Sequence, residues 1–351
     1  MKHNVSMKLS CPMPKMNHDR ITLGHGGGGS LTNSLLQKGV FSILGNEWLD
    51  DHHDGAFLDI KGRLAFSTDS FVISPIFFPG GDIGELAIHG TVNDLAMCGA
   101  VPRFLSLSFI IEEGLLMEDF WRILYSIRDA CEKANVKIVT GDTKVVERGK
   151  GDQIFINTTG IGEISTNAQI SVKRVLEKDV IIVSDNIASH GISIMSVRKG
   201  LEFETDILSD TRPLNHIVGS IINQFGDAIK LLKDPTRGGI ASVLNEIARD
   251  ANLGIHLDEK LIPMQDQVRG ACEILGLDPL YVANEGVFIA IVSEDCADEI
   301  LSELRKSDTC KAASIIGEVV NDHPGQVTIR SGIGGRRVVN MLVGEQLPRI
   351  C

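Results

Sequence analysis

Five aspartates stand at the ends of apolar runs or in short turns: Asp54 in "DDHHDGAF", Asp69 in "FSTDSF", Asp94 in "TVNDLA", Asp142 in "TGDTKVV" and Asp234 in "KDPTRGG". A single aspartate beside Thr, Ser, Asn or Gly is ordinarily a cap or an Asx-turn. Several in one setting are another matter, because converging carboxylates repel one another unless a cation sits among them. Hard oxygen donors of this kind suit Mg²⁺, which keeps several waters and is shared with phosphate oxygens. The run "HGGGGS", with Gly26, Gly27, Gly28 and Gly29 behind His25, is either a hinge or a mobile backbone cradle whose N–H groups meet phosphate. His25 by itself reads as structural, and "DHHD" is a weak transition-metal candidate.

The last residue is Cys351. A buried, inert cysteine has no reason to sit at a chain end, where order is poor. Prenylation needs a cysteine four residues from the end and is excluded. An accidental surface thiol and a swinging arm that carries a chemical group into a site both remain.

These side chains need elements to position them. "AFLDI-KG-RLAFSTDS" predicts a hairpin, the "GELAIHGTVNDLAMCGA" segment a helix, and "RFLSLSFII" a strand. Phe120, Leu124, Ile127 and Cys131 recur at helical spacing and predict an amphipathic helix over 115–136. "VKIVTGDTKVV" and "QIFINTTGIGEI" read as strands. The polar stretch "STNAQI" marks a domain boundary. Beyond it "DVIIVSD", "GIHLD", "YVANEGVFIAIV", "AASIIGEVV" and "VTIRS" read as strands, with helices at "HGISIMSVRKG", "GGIASVLNEIARDANLG" and "EDCADEILSELRKS". The chain thins to a tail over 336–351. Its sixteen residues span about 50 Å when extended at ~3.3 Å each. Pro348 biases Leu347 toward extended geometry.

At 351 residues two domains are expected. A net charge of -12 argues against nucleic acid or an anionic membrane as partner. Apolar stretches are strand-sized, and the N-terminus lacks the apolar core of a signal peptide. Seven scattered cysteines without a C-x-x-C pair suit neither a disulfide framework nor a zinc site, and point to a reducing cytoplasm. There is no P-loop and no H-E-x-x-H, "HGGG" lacks the G-x-S-x-G elbow of an esterase, and "SGIGG" comes too late for a dinucleotide fold.

"LGHGGGGSLTNSLL", "FSTDSFVISPIFFPGGDIGELAIHGTVNDLAMCGAVPRFLSLSFIIEEG", "IVTGDTKVVERG" and the closing "PRIC" together resemble the HypE family of hydrogenase maturation factors. That family falls within the ATP-dependent aminoimidazole ribonucleotide (AIR) synthetase, or PurM-like, superfamily. The resemblance runs from roughly residue 11 to residue 351, leaving the first ten residues as an extension. It implies an α+β fold with a lid-bearing extension over 1–38, an ATP-binding domain over 39–165, a second domain over 170–335 and a flexible tail. It also implies a homodimer whose N-terminal strands pair into a β-barrel.

The implied activity is a carbamoyl dehydratase. A carbamoyltransferase, HypF, loads a carbamoyl group onto Cys351; ATP activates its oxygen, and loss of phosphate leaves a thiocyanate. The cyano group then passes to iron on the HypC–HypD complex, bound for [NiFe]-hydrogenase. By the same resemblance Asp54, Asp69, Asp94 and Asp234 hold Mg²⁺. Asn93, Asp94, Asp142 and Thr143 line the nucleotide beneath the lid of residues 26–29. Glu285 in "YVANEGVF" is the implied base, and Lys144 steadies the oxyanion or phosphate. The alternatives are a small-molecule kinase or synthetase of the same superfamily, which needs no terminal thiol, and a non-catalytic carrier, which needs no acidic cluster.

Overall fold

Two sheets, one in each half of the chain, organise the computed structural model, which describes residues 14, 18–51, 53–200, 207–342, 344 and 349–351. In the first half, α1 (Ser30–Leu35), a π-helical turn (Leu36–Val40) and α2 (Phe41–Leu44) precede β1 (Leu64–Phe71). A small ladder, β2 (Phe77–Phe78) with β3 (Gly81–Asp82), leads into α3 (Ile83–Met97). Then come β4 (Ala100–Glu112), α4 (Met117–Ala134), β5 (Lys137–Val146) and β6 (Ile154–Ile164). The sheet order is β1-β6-β4-β5, antiparallel except for the β4–β5 pair, whose crossover is α4.

α3 is apolar on nearly every face, and a helix of that kind must be enclosed. It starts because the Asp82 carboxylate accepts the N–H groups of Gly84 (2.7 Å) and Glu85 (3.1 Å), satisfying donors that the first turn leaves orphaned. α4 is the amphipathic helix the spacing predicts, closed by Asn135 in the left-handed conformation at φ 55°.

The predicted hairpin does not form. Residues 56–60 pair with no strand among the described residues, and β1 is an edge strand whose one neighbour is β6.

The second half contains β7 (Val180–Val183), α5 (Ser189–Lys199), α6 (Asn215–Phe225), β8 (Ile229–Lys233), α7 (Gly239–Ala251) and β9 (Gly254–Asp258). It continues with α8 (Asp266–Leu275), β10 (Ile289–Val292), α9 (Ala297–Leu304), β11 (Ser314–Val320), β12 (Val327–Arg330) and β13 (Arg336–Val339). The seven strands run β13-β12-β9-β11-β7-β10-β8. Alternation along β7 sends Ile181 and Val183 into a core with α7 and α8, and Ile182 into another with α6 and α9, so both faces are covered. The long strand expected from "YVANEGVFIAIV" is only β10, the residues before it running irregularly.

The tail begins later than expected. Residues 336–339 form β13 against β12, with Val339 fully buried. Residues 349–351 are bound to the body of the protein rather than free. The expectation for Leu347 and Pro348 lies outside the described residues, as do the first ten residues. No helix among the described residues is long and apolar enough to cross a membrane.

Asn93 joins the halves. Its amide nitrogen donates to the carbonyls of Arg212 (3.1 Å) and Glu285 (3.0 Å), and its oxygen accepts the N–H of Leu214 (2.8 Å). With both amide hydrogens bound to backbone it is occupied as an interdomain tie, so it does not supply a free donor to a nucleotide.

Candidate active site

The glycine run is seated against β5. A Cβ on Gly26 would lie 2.5 Å from the amide nitrogen of Val145, so the loop approaches the sheet as closely as backbone allows. His25 is fully buried, its Nδ1 accepting the N–H of Thr22 at 3.0 Å. A cavity of about 430 Å³ opens between this loop, the helical segment α1–α2 and β5. Gly26, Gly27, Gly28, Asp142, Thr143 and Lys144 form its polar rim, and Leu107, Phe109 and Ile138 its apolar floor. Gly29 stands just outside the rim, as the residue before α1. Lys144 Nζ lies 2.8 Å from Asp142 Oδ1 and is first among the causes that hold that carboxyl below the usual carboxylate range. The volume and the mix of apolar floor and few polar groups suit a small ligand. A flat ring fits the floor and an anionic group the glycine amides and Lys144.

A second set of groups draws on both halves. Asp69 comes from β1, Asp94 from α3 and Asp234 from the segment after β8. Burial raises the pKa of each, and the carboxylates raise one another further: Asp69 acts on Asp94, and Asp94 and Asp69 act on Asp234. Ser67 Oγ donates to Asp94 Oδ2 at 2.6 Å, and Arg237 tempers Asp69 and Asp94. Lys233 tempers Asp234 but is itself paired with Glu246, so the three repelling carboxylates remain short of positive charge, and their hard oxygens fit Mg²⁺. They do not form a closed cage, since no three His, Cys, Asp or Glu among the described residues are gathered to metal-ligating distance. An open set suits Mg²⁺ held by a few carboxylates with water and phosphate completing the shell. Asp54 is not with them; it is exposed on the stretch before β1, without a hydrogen bond or ion pair among the described residues.

Glu285 is buried within electrostatic reach of this acidic set, with Oε1 lacking any hydrogen-bond partner. Burial first, then Asp210, Asp234, Asp69 and Asp94, push its pKa well above the ordinary carboxyl range. Beside it lies the end of the chain. Ile350 is 4% exposed and packs into the first-half core with Ile194 and Ala283. His190 Nε2 meets the Ile350 carbonyl at 2.6 Å, and the Val72 N–H donates to the main-chain oxygen of Cys351 at 3.1 Å. Arg349 pairs with Asp152 at 2.9 Å and donates to the Val72 carbonyl, while Arg198 donates to the Arg349 carbonyl. The Cys351 thiol is thereby half-buried, its pKa pushed up to about 12 by burial and then by Glu285. Lys144 is in the wall of the cavity, and no hydrogen bond or ion pair joins it to Glu285 or Cys351.

Residues 52–164 match the N-terminal domain of AIR synthase related proteins, and residues 177–330 the C-terminal domain. A Bradyrhizobium diazoefficiens protein named carbamoyl dehydratase HypE is 47% identical over 332 residues, which span 94% of this chain and 96% of that one. The chain belongs to the HypE family. A crystal structure of HypE in complex with ATP superposes with a TM-score of 0.91 at 46% identity, covering 94% of this chain and 99% of that one. HypE in a HypE–HypF complex superposes at 0.78 and 43% identity, covering 90% of this chain and 100% of that one. The PurM-like α+β architecture of two domains is thus common to the family and this chain.

Several residues at this HypE-type site carry no signal in the sequence. His190, Asp210, Arg198 and Arg237 belong to no motif, and His190 acquires its partner from a residue 160 positions away. A histidine inside the otherwise apolar stretch "SHGISIM" was the one available hint.

Proposed function

We propose that the protein is an ATP-dependent dehydratase acting on a carbamoyl group carried by its own Cys351. The observation that carries this reading is the seat of Cys351: Val72 holds its backbone, His190 holds that of Ile350 before it, and the thiol is half-buried beside Glu285. A seat that holds the chain's own terminal residues favours this reading over a small-molecule kinase, whose acceptor must diffuse in.

The amide oxygen of a thiocarboxamide is a poor leaving group, whereas its phosphate ester departs readily, so the barrier is set by positioning and charge neutralisation. The cavity under residues 26–28 holds the nucleotide, a use supported by the ATP complex of a close relative. Asp69, Asp94 and Asp234 would hold Mg²⁺, which when bound neutralises phosphate charge and aligns the γ-phosphoryl group. Lys144 adds charge at the phosphates, and Asp142 fixes its ammonium. Glu285 takes a proton from the carbamoyl nitrogen as the oxygen is phosphorylated. Departure of phosphate then leaves the thiocyanate, whose cyano group goes to iron on a HypC–HypD complex.

A carbamoyltransferase of the HypF type loads the thiol in the cytoplasm, in keeping with the HypE–HypF complex of a relative. Loading requires residues 349–351 to leave their seat. The working unit is a homodimer, supported by the exposed apolar face of the β1 sheet, where Phe66 is 69% exposed.

Intact-protein mass spectrometry tests the reading. After incubation with HypF, carbamoyl phosphate, Mg²⁺ and ATP, the C-terminal peptide gains a carbamoyl group and then loses the mass of water only when the ATP is hydrolysable. An unmodified Cys351 in a chain that still hydrolyses ATP would make it a small-molecule kinase. Unimpaired carriage by Asp94→Ala would make it a passive carrier.

A further inference from the structure

Ser67 stands on the face of β1 that meets α3. Alternation along the strand turns Ala65, Ser67, Asp69 and Phe71 inward and leaves Phe66 and Thr68 exposed. Directly across from Ser67 on β6 is Gly160, where a Cβ would lie 2.8 Å from Leu95 and from Leu105. The absent side chain lets α3 settle close to the sheet at this level, and Asp94, the neighbour of Leu95, comes within reach of the strand. Ser67 Oγ then donates to Asp94 Oδ2 at 2.6 Å. The helix does not depend on this bond for its seat. Thr158 on β6 donates to the Ala87 carbonyl at 3.0 Å and meets Thr91 Oγ1 at 2.6 Å.

What the Ser67 bond fixes is the carboxylate. An untied aspartate can turn either oxygen, or both, toward a cation. With Oδ2 held, Asp94 offers Oδ1, which accepts no hydrogen bond among the described residues. Asp69 is tied in the same way, its Oδ1 accepting the Ser70 N–H at 2.7 Å, so that Oδ2 is its open oxygen. Mg²⁺ demands a near-ideal octahedron, takes few carboxylates and leaves the other corners to water and phosphate. Two carboxylates with one open oxygen each meet that demand better than two that can swing. Among the described residues β1 joins its sheet through β6 alone. The bond to α3 therefore also holds Asp69, two residues on, at a set spacing from Asp94.

We propose that Ser67 is a positioning residue of the cation site: its hydroxyl orients Asp94 so that Asp94 and Asp69 each present a single oxygen to Mg²⁺. The inference rests on the Mg²⁺ site proposed above. Ser67 does not line the cavity beneath the glycine loop, so its hydroxyl acts on the cation and not on the nucleotide. Hydrogen bonds made to the side chains that ligate a metal govern its affinity by roughly 10–100-fold.

The test uses the full chain, a non-hydrolysable ATP analogue, and Mn²⁺ as the cation, counted by the paramagnetic resonance of the free ion. Ser67→Ala should hold Mn²⁺ about tenfold more weakly than the parent. Ser67→Thr keeps the hydroxyl and should match the parent. Binding of the analogue without divalent cation should be equal in all three, a result that a general loosening of β1 would not give. Equal Mn²⁺ affinity in Ser67→Ala and the parent overturns the proposal, and so does a Ser67→Thr as weak as Ser67→Ala. Parallel loss of Mn²⁺ and of the metal-free analogue in Ser67→Ala makes the residue structural only. In an Asp94→Asn background, Ser67→Ala should cost nothing more; a further tenfold loss overturns the link to Asp94. Should Ser67→Ala fail to fold, Ser67→Cys, a weaker donor, takes its place, and parental Mn²⁺ affinity in that variant overturns the proposal. A parent that takes up no Mn²⁺ with the analogue present removes the cation site itself. That outcome is distinct from a parent that binds Mn²⁺ no better than Ser67→Ala, which removes only the role of Ser67.

Discussion

His190 Nε2 lies 2.6 Å from the carbonyl oxygen of Ile350, so a fully buried histidine of the second half holds the residue next to the last sulfur of the chain. Because a carbonyl only accepts, Nε2 carries the proton, and Nδ1 accepts from Ser209 Oγ at 2.8 Å. The bond places a proton on Nε2, and burial lowers the ring's pKa.

Losing that donor should loosen the tail, and the ring's edge-on contact with Phe78 goes with it. A hydrogen bond of this kind contributes about 1 kcal/mol, so His190→Ala should raise the alkylation rate of Cys351 about five-fold. Labelling by a maleimide, read on the C-terminal peptide, measures it; an unchanged rate would show that Ile350 and Arg349 suffice to hold the tip.

The thiol gives a pH dependence with a definite sign. Its pKa is raised from 9.0 to about 12 in the seat, so the seated form prefers the protonated thiol. That preference is fully present below 9.0 and is lost as pH rises toward 12. Relative to a free peptide of the same closing residues, Cys351 should be protected at least tenfold at neutral pH. The protection should fall steadily above the free thiol's pKa. A ratio that stays flat through the alkaline range would mean the thiol is not seated in solution.

The acidic set predicts opposite effects with and without cation. Removing one of three repelling carboxylates relieves strain in the free protein, so Asp94→Asn should melt about 2 °C higher than the parent. The parent, however, should gain stability from Mg²⁺ and ATP by mass action, and the variant should not. Calorimetry with and without Mg-ATP separates the two. An equal gain in both proteins would remove Asp94 from the cation site.

Much of this arrangement was legible beforehand, and the rest was hidden for physical reasons. Phe120, Leu124 and Ile127 announce α4 because one helix face is buried and the other wet. α8 was missed because Gly270 and the charged residues around it blur its periodicity, and β13 because "RRVV" buries only Val339. The aspartates were found by type and setting, and three of the four proposed metal ligands lie within electrostatic reach of one another. Asp54 shares their flanking residues, yet it lies on an exposed stretch away from them. His190 and Asp210 could not be found, since their partners, residues 349–351 and the backbone of Glu285 and Gly286, come from distant parts of the chain. The bound state of the tip is likewise a property of packing, absent from a sequence that reads as a loose end.

The open face of the first sheet leads to the last prediction. α3 and α4 cover the other face, while Leu64 and Phe66 on β1 and Val101 and Ile110 on β4 remain 43–69% exposed. Phe57, on the unpaired stretch before β1, is 78% exposed. An apolar sheet face with a free edge strand is a hazard for a monomer and is ordinarily covered. A second copy placing the same face against it would bury these residues, give the 56–60 stretch a neighbour and close the sheet into a barrel. Phe66→Asp puts a charge at the centre of that contact, far from the Cys351 seat. Multi-angle light scattering at micromolar concentration should therefore read a dimer for the parent and a monomer for the variant. A monomeric parent would sink the homodimer, and a dimeric Phe66→Asp would move the interface to another face.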